Sequence, residues 1–245
     1  MHSNDVLVLR ILRRKNGEEK GRWQDIPFEI KDEGKTVASA LTDINNAAGT
    51  PAAFKDCEGN EVSHISWDNS CLQKKCGACA MVIDGKPRLA CDAKLMTFFG
   101  KVKALTIEPL RKFPVVADLL TDRSRMRENL LKLNLWQNGD NTVEDRNTDI
   151  SYQASRCVQC GCCLEVCPNF VFDRDFFGAA AFVPATREMV NSSPEDMKDL
   201  RRNYSDNIYG GCGMSLSCKD ICPRGIDTEK LLVRSNAVML WGKRR

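Results

Sequence analysis

The chain has 245 residues, 36 of them basic and 33 acidic, for a net charge of +3, and charged residues make up 28% of it. That near balance gives no support to a nucleic-acid partner. No apolar run approaches the roughly 18 residues needed to cross a bilayer, so any membrane association is expected through a partner. Thirteen cysteines in a chain without a recognisable secretory signal point to metal binding in a reducing compartment such as the bacterial cytosol, and not to disulfides.

Taken in chain order, Val6, Val8 and the stretch from Arg10 to Leu12 alternate in the manner of a strand. Arg13-Arg14 follow with no apolar region after them, so they read as part of that strand and not as a twin-arginine signal. Residues 26–30 predict a second strand. Val37, Leu41 and Ile44 recur at helical spacing behind Thr36, a suitable N-cap. The HISWD segment, with His64, reads as extended. A cysteine loop begins at Cys71, and Asp84-Gly85 between two apolar runs is a hairpin signal. KALTIEP predicts a closing strand, ended by Pro109.

From Pro114 the segment FPVVADLLTDRSRMRENLLKLN takes on helical spacing with charge pairs three and four apart. Residues 138–149 are polar and read as a loop. Ser193 before Pro194 marks a helix start with proline at its first position. The last stretch, DTEKLLVRSNAVMLWGKRR, predicts a terminal helix with a basic end. The class is therefore α+β. Residues 1–110 are expected to form a β-grasp domain of the plant-type ferredoxin kind, and residues 111–245 a mainly helical, bacterial-ferredoxin-like domain.

Eleven cysteines fall into three spaced groups. Cys71, Cys76, Cys79 and Cys91 read C-x4-C-x2-C-x11-C, the plant-type pattern of a [2Fe-2S] centre with a remote fourth ligand. Gly77 lets the backbone bend around sulfide, and the hairpin returns Cys91 beside Cys79. A four-cysteine zinc site is the rival, but structural zinc knuckles favour paired C-x2-C units and this group has one. Cys157, Cys160, Cys163 and Cys167 read C-x2-C-x2-C-x3-C, followed by Pro168. Cys212, Cys218 and Cys222 form a second such run, followed by Pro223, with Ser215 where its second cysteine belongs.

In two-cluster ferredoxins the last cysteine of each run ligates the other run's cluster. The spacing then assigns a [4Fe-4S] cluster to Cys157, Cys160, Cys163 and Cys222, and a [3Fe-4S] cluster to Cys167, Cys212 and Cys218. A serine-ligated fourth iron at Ser215 is disfavoured, because a hydroxyl is a harder and poorer ligand for iron than a thiolate. Cys57, in a polar loop, and Cys162, inside a filled run, are left without a cofactor role. Cys162 reads as a small buried side chain.

SWDNSCLQKKCGACAMVIDGKPRLAC, FPVVADLLTDRSRM, CVQCGCCLEVCPN and CGMSLSCKDICPRG occur in that order. Together they resemble the iron–sulfur subunit of the succinate dehydrogenase and fumarate reductase family over nearly the whole chain. The resemblance implies an electron-transfer subunit that supplies no acid, base or nucleophile. It would pass single electrons between the FAD of a flavoprotein subunit and a membrane anchor that handles quinone, at the cytoplasmic face of the bacterial inner membrane. Ubiquinone-using members carry a tryptophan shortly after the first Cys-Pro and a histidine after the first cysteine of the last group. Here Phe170, Phe172 and Gly213 occupy those regions, which implies the menaquinone branch with a haem b-bearing anchor. Phe170 and Phe172 also read as core packing, and the Asp122–Arg127 run as a solvated helix face. The alternative function is the same wire serving a related flavin dehydrogenase with another substrate or acceptor. Thiol-driven fumarate reductases carry a further cysteine-rich domain, which this chain does not show after Cys222.

Overall fold

The computed structural model describes residues 5–15, 18, 20–135 and 147–242. They fall into two compact units, Met1–Asp122 and Arg123–Arg245.

The first unit is built on a five-stranded sheet. β1 (Val6–Arg13) pairs antiparallel with β2 (Arg22–Glu29) along its whole length, from Val6 opposite Glu29 to Arg13 opposite Arg22. Successive β1 side chains alternate between the two faces, so Leu7, Leu9 and Ile11 are buried together. α1 (Val37–Ala47) starts at a reciprocal cap: the Thr36 side chain accepts from the Ser39 N–H, and the Ser39 side chain accepts from the Thr36 N–H. β3 (Ala80–Ile83) and β4 (Lys86–Leu89) form a hairpin whose two central residues, Asp84 and Gly85, have φ of 51° and 71°. That is the turn which aspartate–glycine favours. β5 (Ala104–Glu108) closes the sheet, parallel to β1 and antiparallel to β3, giving the order β2-β1-β5-β3-β4. Joining β3 and β4 to the β1–β5 pair places the cysteine loop and the hairpin on one side of the sheet order.

Two expectations are corrected here. The HISWD segment pairs with no strand, although Ile65 and Trp67 are buried, and His64 lies exposed in irregular chain. From Pro114 the chain continues not as a helix but as a short hairpin, β6 (Val115–Ala117) and β7 (Leu120–Thr121), and the helix begins only at Ser124. Two β-branched valines favour extended backbone, and Asp118 at the turn, φ 44°, is bound by a partner 105 residues away. That partner is Arg13. Its guanidinium donates to Asp118 Oδ1 at 2.9 Å, to Gln24 Oε1 at 2.7 Å and to the His64 carbonyl at 2.8 Å. Asp118 also accepts from the backbone N–H of Arg14 at 3.0 Å and of Ser66 at 2.9 Å. The network fixes residues 63–66, which lead into the cysteine loop. The hairpin thus belongs with the first unit, which extends past residue 110 to Asp122.

The second unit is helical: α2 (Ser124–Leu133), α3 (Thr148–Ser155), the one-turn α4 (Cys162–Glu165), α5 (Ala179–Asn191), α6 (Pro194–Asn207) and α7 (Thr228–Trp241). Pro194 opens α6, and Asp227 caps α7 by accepting from the Lys230 N–H at 2.9 Å. α5 is buried on nearly every face and packs against both α3 and α7. Leu133, Ile150, Phe177, Phe182, Met189, Leu200, Leu231 and Val238 fill the core around it. The buried Tyr204 hydroxyl is satisfied by Ser235 at 2.7 Å and Asn236 at 2.8 Å. Most of the polar stretch 138–149 and the basic end 243–245 lie outside the described residues; Thr148 and Asp149 already belong to α3. Among the described residues, no helix is long and apolar enough to cross a membrane.

Candidate metal centres

The loop between Cys71 and Cys79 has no regular structure, because its backbone serves the sulfurs. Leu72, Lys74 and Gly77 take left-handed φ of 51°, 61° and 78°, which turns successive N–H groups inward. Gln73 and Lys75 donate to Cys71 Sγ at 3.4 and 3.3 Å, and Lys74 donates to Cys91 Sγ at 3.2 Å. Cys91 arrives by way of the β3–β4 hairpin, where the Ala90 N–H donates to the Cys79 carbonyl at 2.9 Å. Among the thiols, Cys76 lies beside Cys71, and Cys79 beside both Cys91 and Cys76. The Gln73 N–H above all, with help from Cys76, lowers the Cys71 thiol to about 7. Burial pushes the Cys79 thiol up to about 12.

A single tetrahedral zinc draws four sulfurs onto one point. The N–H groups aimed at the sulfurs of Cys71 and Cys91 suit a cluster that spreads negative charge over its sulfurs.

In the second unit the last cysteine of the second run sits with the first three of the other. Cys157 lies close to Cys160 and Cys222, and Cys163 lies close to all three and also to Cys218. Burial pushes the Cys157 thiol up to about 11 and raises that of Cys163 as well. Cys167 and Cys212 instead neighbour Cys218, and these three line a small cavity with Phe176, Phe182 and Leu232. Burial also raises the Cys218 thiol. Ser215 stands at the mouth of this cavity, exposed, with its hydroxyl 3.2 Å from that of Ser217. Cys222 of the second run thus sits beside Cys157 and Cys163 of the first, and Cys167 of the first beside Cys218 of the second, in buried surroundings that favour charge shared over a cluster. The chain can hold and tune electron carriers here.

Sequence reasoning missed the groups around these sulfurs. The buried Cys162 thiol donates to Cys160, the leading reason Cys160 is lowered to about 7, and the Arg123 charge adds to it. Cys162 is fully buried, as its size suggests, but it also touches a candidate ligand. Arg123 donates to the Cys160 carbonyl at 3.3 Å, and Arg125 donates to the Arg174 carbonyl at 3.4 Å. The Arg123–Arg127 stretch is therefore partly occupied within the unit and is not wholly a solvated face. Thr228 is buried, its hydroxyl has no oxygen or nitrogen partner, and it interacts with Cys218. Gln159 donates to Cys157 Sγ at 3.2 Å. Only the proximity of Gln159 to its run was visible in the sequence. Cys57 is exposed in a turn near Arg10, its N–H donating to the Asp25 carbonyl at 2.9 Å, and Phe170 is 1% exposed and packs in the core, while Phe172 is half-buried.

Residues 8–128 match the family described as a 2Fe-2S iron-sulfur cluster binding domain, and residues 153–226 match the 4Fe-4S dicluster domain. The chain is 33% identical to the succinate dehydrogenase iron-sulfur subunit of Bacillus subtilis, covering 78% of this chain and 76% of that one. It is 29% identical to the fumarate reductase iron-sulfur subunit of Escherichia coli O6:H1, over 69% of this chain and 71% of that one. An uncharacterized iron-sulfur protein of Methanocaldococcus jannaschii is 30% identical over 95% of this chain, which spans 43% of that protein. Among solved structures, a chain of the Mycobacterium smegmatis Sdh1 complex in the apo form has the same fold, with TM-score 0.75, 24% identity and 95% coverage of both chains.

Proposed function

Since the chain belongs to the family of succinate dehydrogenase and fumarate reductase iron–sulfur subunits, we propose that it is the electron-transfer subunit of such an oxidoreductase and that its eleven grouped cysteines divide as follows. Cys71, Cys76, Cys79 and Cys91 hold [2Fe-2S]. Cys157, Cys160, Cys163 and Cys222 hold [4Fe-4S]. Cys167, Cys212 and Cys218 hold [3Fe-4S]. When bound, these groups supply one-electron redox chemistry. The chain's own residues ligate them, keep water away, and set their potentials through N–H, hydroxyl and cationic neighbours.

The partners follow from the family: a flavoprotein subunit bearing FAD on one side and a membrane anchor on the other. Phe170, Phe172 and Gly213, in place of the tryptophan and histidine of ubiquinone users, support a menaquinone-type complex whose anchor carries haem b. On this reading the chain sits peripherally at the cytoplasmic face of the bacterial inner membrane, held by the anchor. The nearness of Cys222 to Cys157 and Cys163, and of Cys167 to Cys218, is the observation that supports the cluster assignment.

The test is low-temperature EPR of the anaerobically isolated complex, oxidised and then reduced stepwise, with iron and sulfide assays. About nine irons per chain are expected, with a paramagnetic [3Fe-4S] signal in the oxidised sample that bleaches on adding succinate or menaquinol. Zinc in place of iron, or iron without that oxidised signal, overturns the assignment.

A further inference from the structure

α5 contains a proline in its interior, Pro184. Proline has no N–H, so in a helix it cannot bond the carbonyl four residues earlier. Here that carbonyl belongs to Ala180, and its partner comes from another loop: Gln159 Nε2 donates to it at 2.8 Å. The same nitrogen lies 3.2 Å from Cys157 Sγ. A primary amide carries two N–H donors, and both are committed, one to the carbonyl and one to the sulfur. Rotating the amide by half a turn would set its oxygen against two acceptors, so the donor assignment follows from the neighbours. The amide oxygen is buried and has no partner. The backbone of Gln159 is left-handed, φ 49°, a conformation that favours glycine or asparagine. A glutamine kept there, at the cost of an orphaned oxygen, is held for its nitrogen.

We propose that Gln159, oriented by the carbonyl that Pro184 leaves unbonded, is a positioning residue that raises the reduction potential of the cluster on Cys157, Cys160, Cys163 and Cys222. This rests on the ligand assignment proposed above. Reduction adds negative charge that spreads onto the ligand sulfurs, so an N–H aimed at one of them stabilises the reduced form more than the oxidised form. Removing the donor makes the cluster harder to reduce.

The experiment is a potentiometric EPR titration of the assembled complex, with dithionite and mediators, for the native chain and for Gln159→Leu, Gln159→Glu and Pro184→Ala. Gln159→Leu is expected to shift the [4Fe-4S] reduction equilibrium about tenfold toward the oxidised form, or about 59 mV lower for a one-electron couple. Gln159→Glu keeps the shape, replaces the donor with negative charge and shifts it further. Pro184→Ala returns a competing N–H to Ala180 and gives a smaller shift of the same sign. The [2Fe-2S] and [3Fe-4S] potentials stay where they are, which separates tuning from general disruption. An unchanged [4Fe-4S] potential in both Gln159 variants overturns the proposal, and an unchanged one in Pro184→Ala overturns the part played by the proline. If the Gln159 variants lose the cluster, Pro184→Ala, which keeps the glutamine, decides. A native complex with no [4Fe-4S] signal at all refutes the ligand assignment instead.

Discussion

Replacing Asp118 with alanine strands a buried cation. The Arg13 and Asp118 side chains are 8% and 10% exposed and meet at 2.9 Å. Without the carboxylate, the guanidinium keeps Gln24 and the His64 carbonyl but loses its counter-charge, and the N–H groups of Arg14 and Ser66 lose their acceptor. Breaking a buried pair from one side costs about 3–5 kcal/mol. In a unit of this size that lowers the melting temperature by about 10–20 °C. Because the network fixes residues 63–66, the two-iron centre is expected to be lost at the same temperature as the fold. Thermal scans of the assembled complex, following visible circular dichroism of that centre beside far-ultraviolet dichroism, measure both. Asp118→Gly separates charge from backbone, since glycine relieves the left-handed φ of 44° but restores no carboxylate. It should recover only a small part of the loss. Adding Arg13→Met to Asp118→Ala removes the orphaned cation and should restore more. A loss under about 1 kcal/mol for Asp118→Ala, or a double variant weaker than the single one, would refute the reasoning.

Ser215→Cys supplies the thiol that the second run lacks, and it is expected to replace the oxidised [3Fe-4S] EPR signal with that of a second [4Fe-4S] cluster; an unchanged spectrum would place the missing ligand elsewhere. Exchanging Cys222 for serine should abolish the native [4Fe-4S] signal while leaving that of [3Fe-4S], and Cys167→Ser the reverse. If each variant instead removed its own run's cluster, the crossed arrangement would be wrong. Thr36→Ala opens the reciprocal cap of α1 and should cost about 1 kcal/mol, read as a lower unfolding midpoint with all three EPR signals intact.

Local chemistry wrote much of this fold where it could be read. Asp84-Gly85 dictates its turn, Thr36 caps the helix behind it, and Pro194 opens α6, each through a contact within a few residues. The cysteine spacing likewise announces three groups, and the structure brings Cys222 beside Cys157. What escaped depends on distance along the chain. The helical spacing after Pro114 is real, but an arginine at the end of β1 holds Asp118 in a turn, and tertiary bonding outweighs periodicity. The donors around the sulfurs escaped for the same reason. Gln159 has meaning only with Ala180 and Pro184 beside it, and Arg123 only because α2 starts close to Cys160. No pattern in Gln159 or Thr228 by itself distinguishes a sulfur's neighbour from an ordinary polar residue.

Nine non-glycine residues among those described have left-handed backbones, and six of them, Leu72, Lys74, Gln159, Met214, Leu216 and Asp220, lie inside the cysteine groups. Each costs on the order of 1 kcal/mol or more outside glycine. The loops that carry the thiols therefore hold a backbone that costs free energy. Their conformation is repaid when iron and sulfide arrive, so cofactor insertion doubles as the last folding step. A cell short of iron would then accumulate chains with open loops, the state that proteases cut first. The abundance of the subunit, and not only its activity, would follow the iron supply.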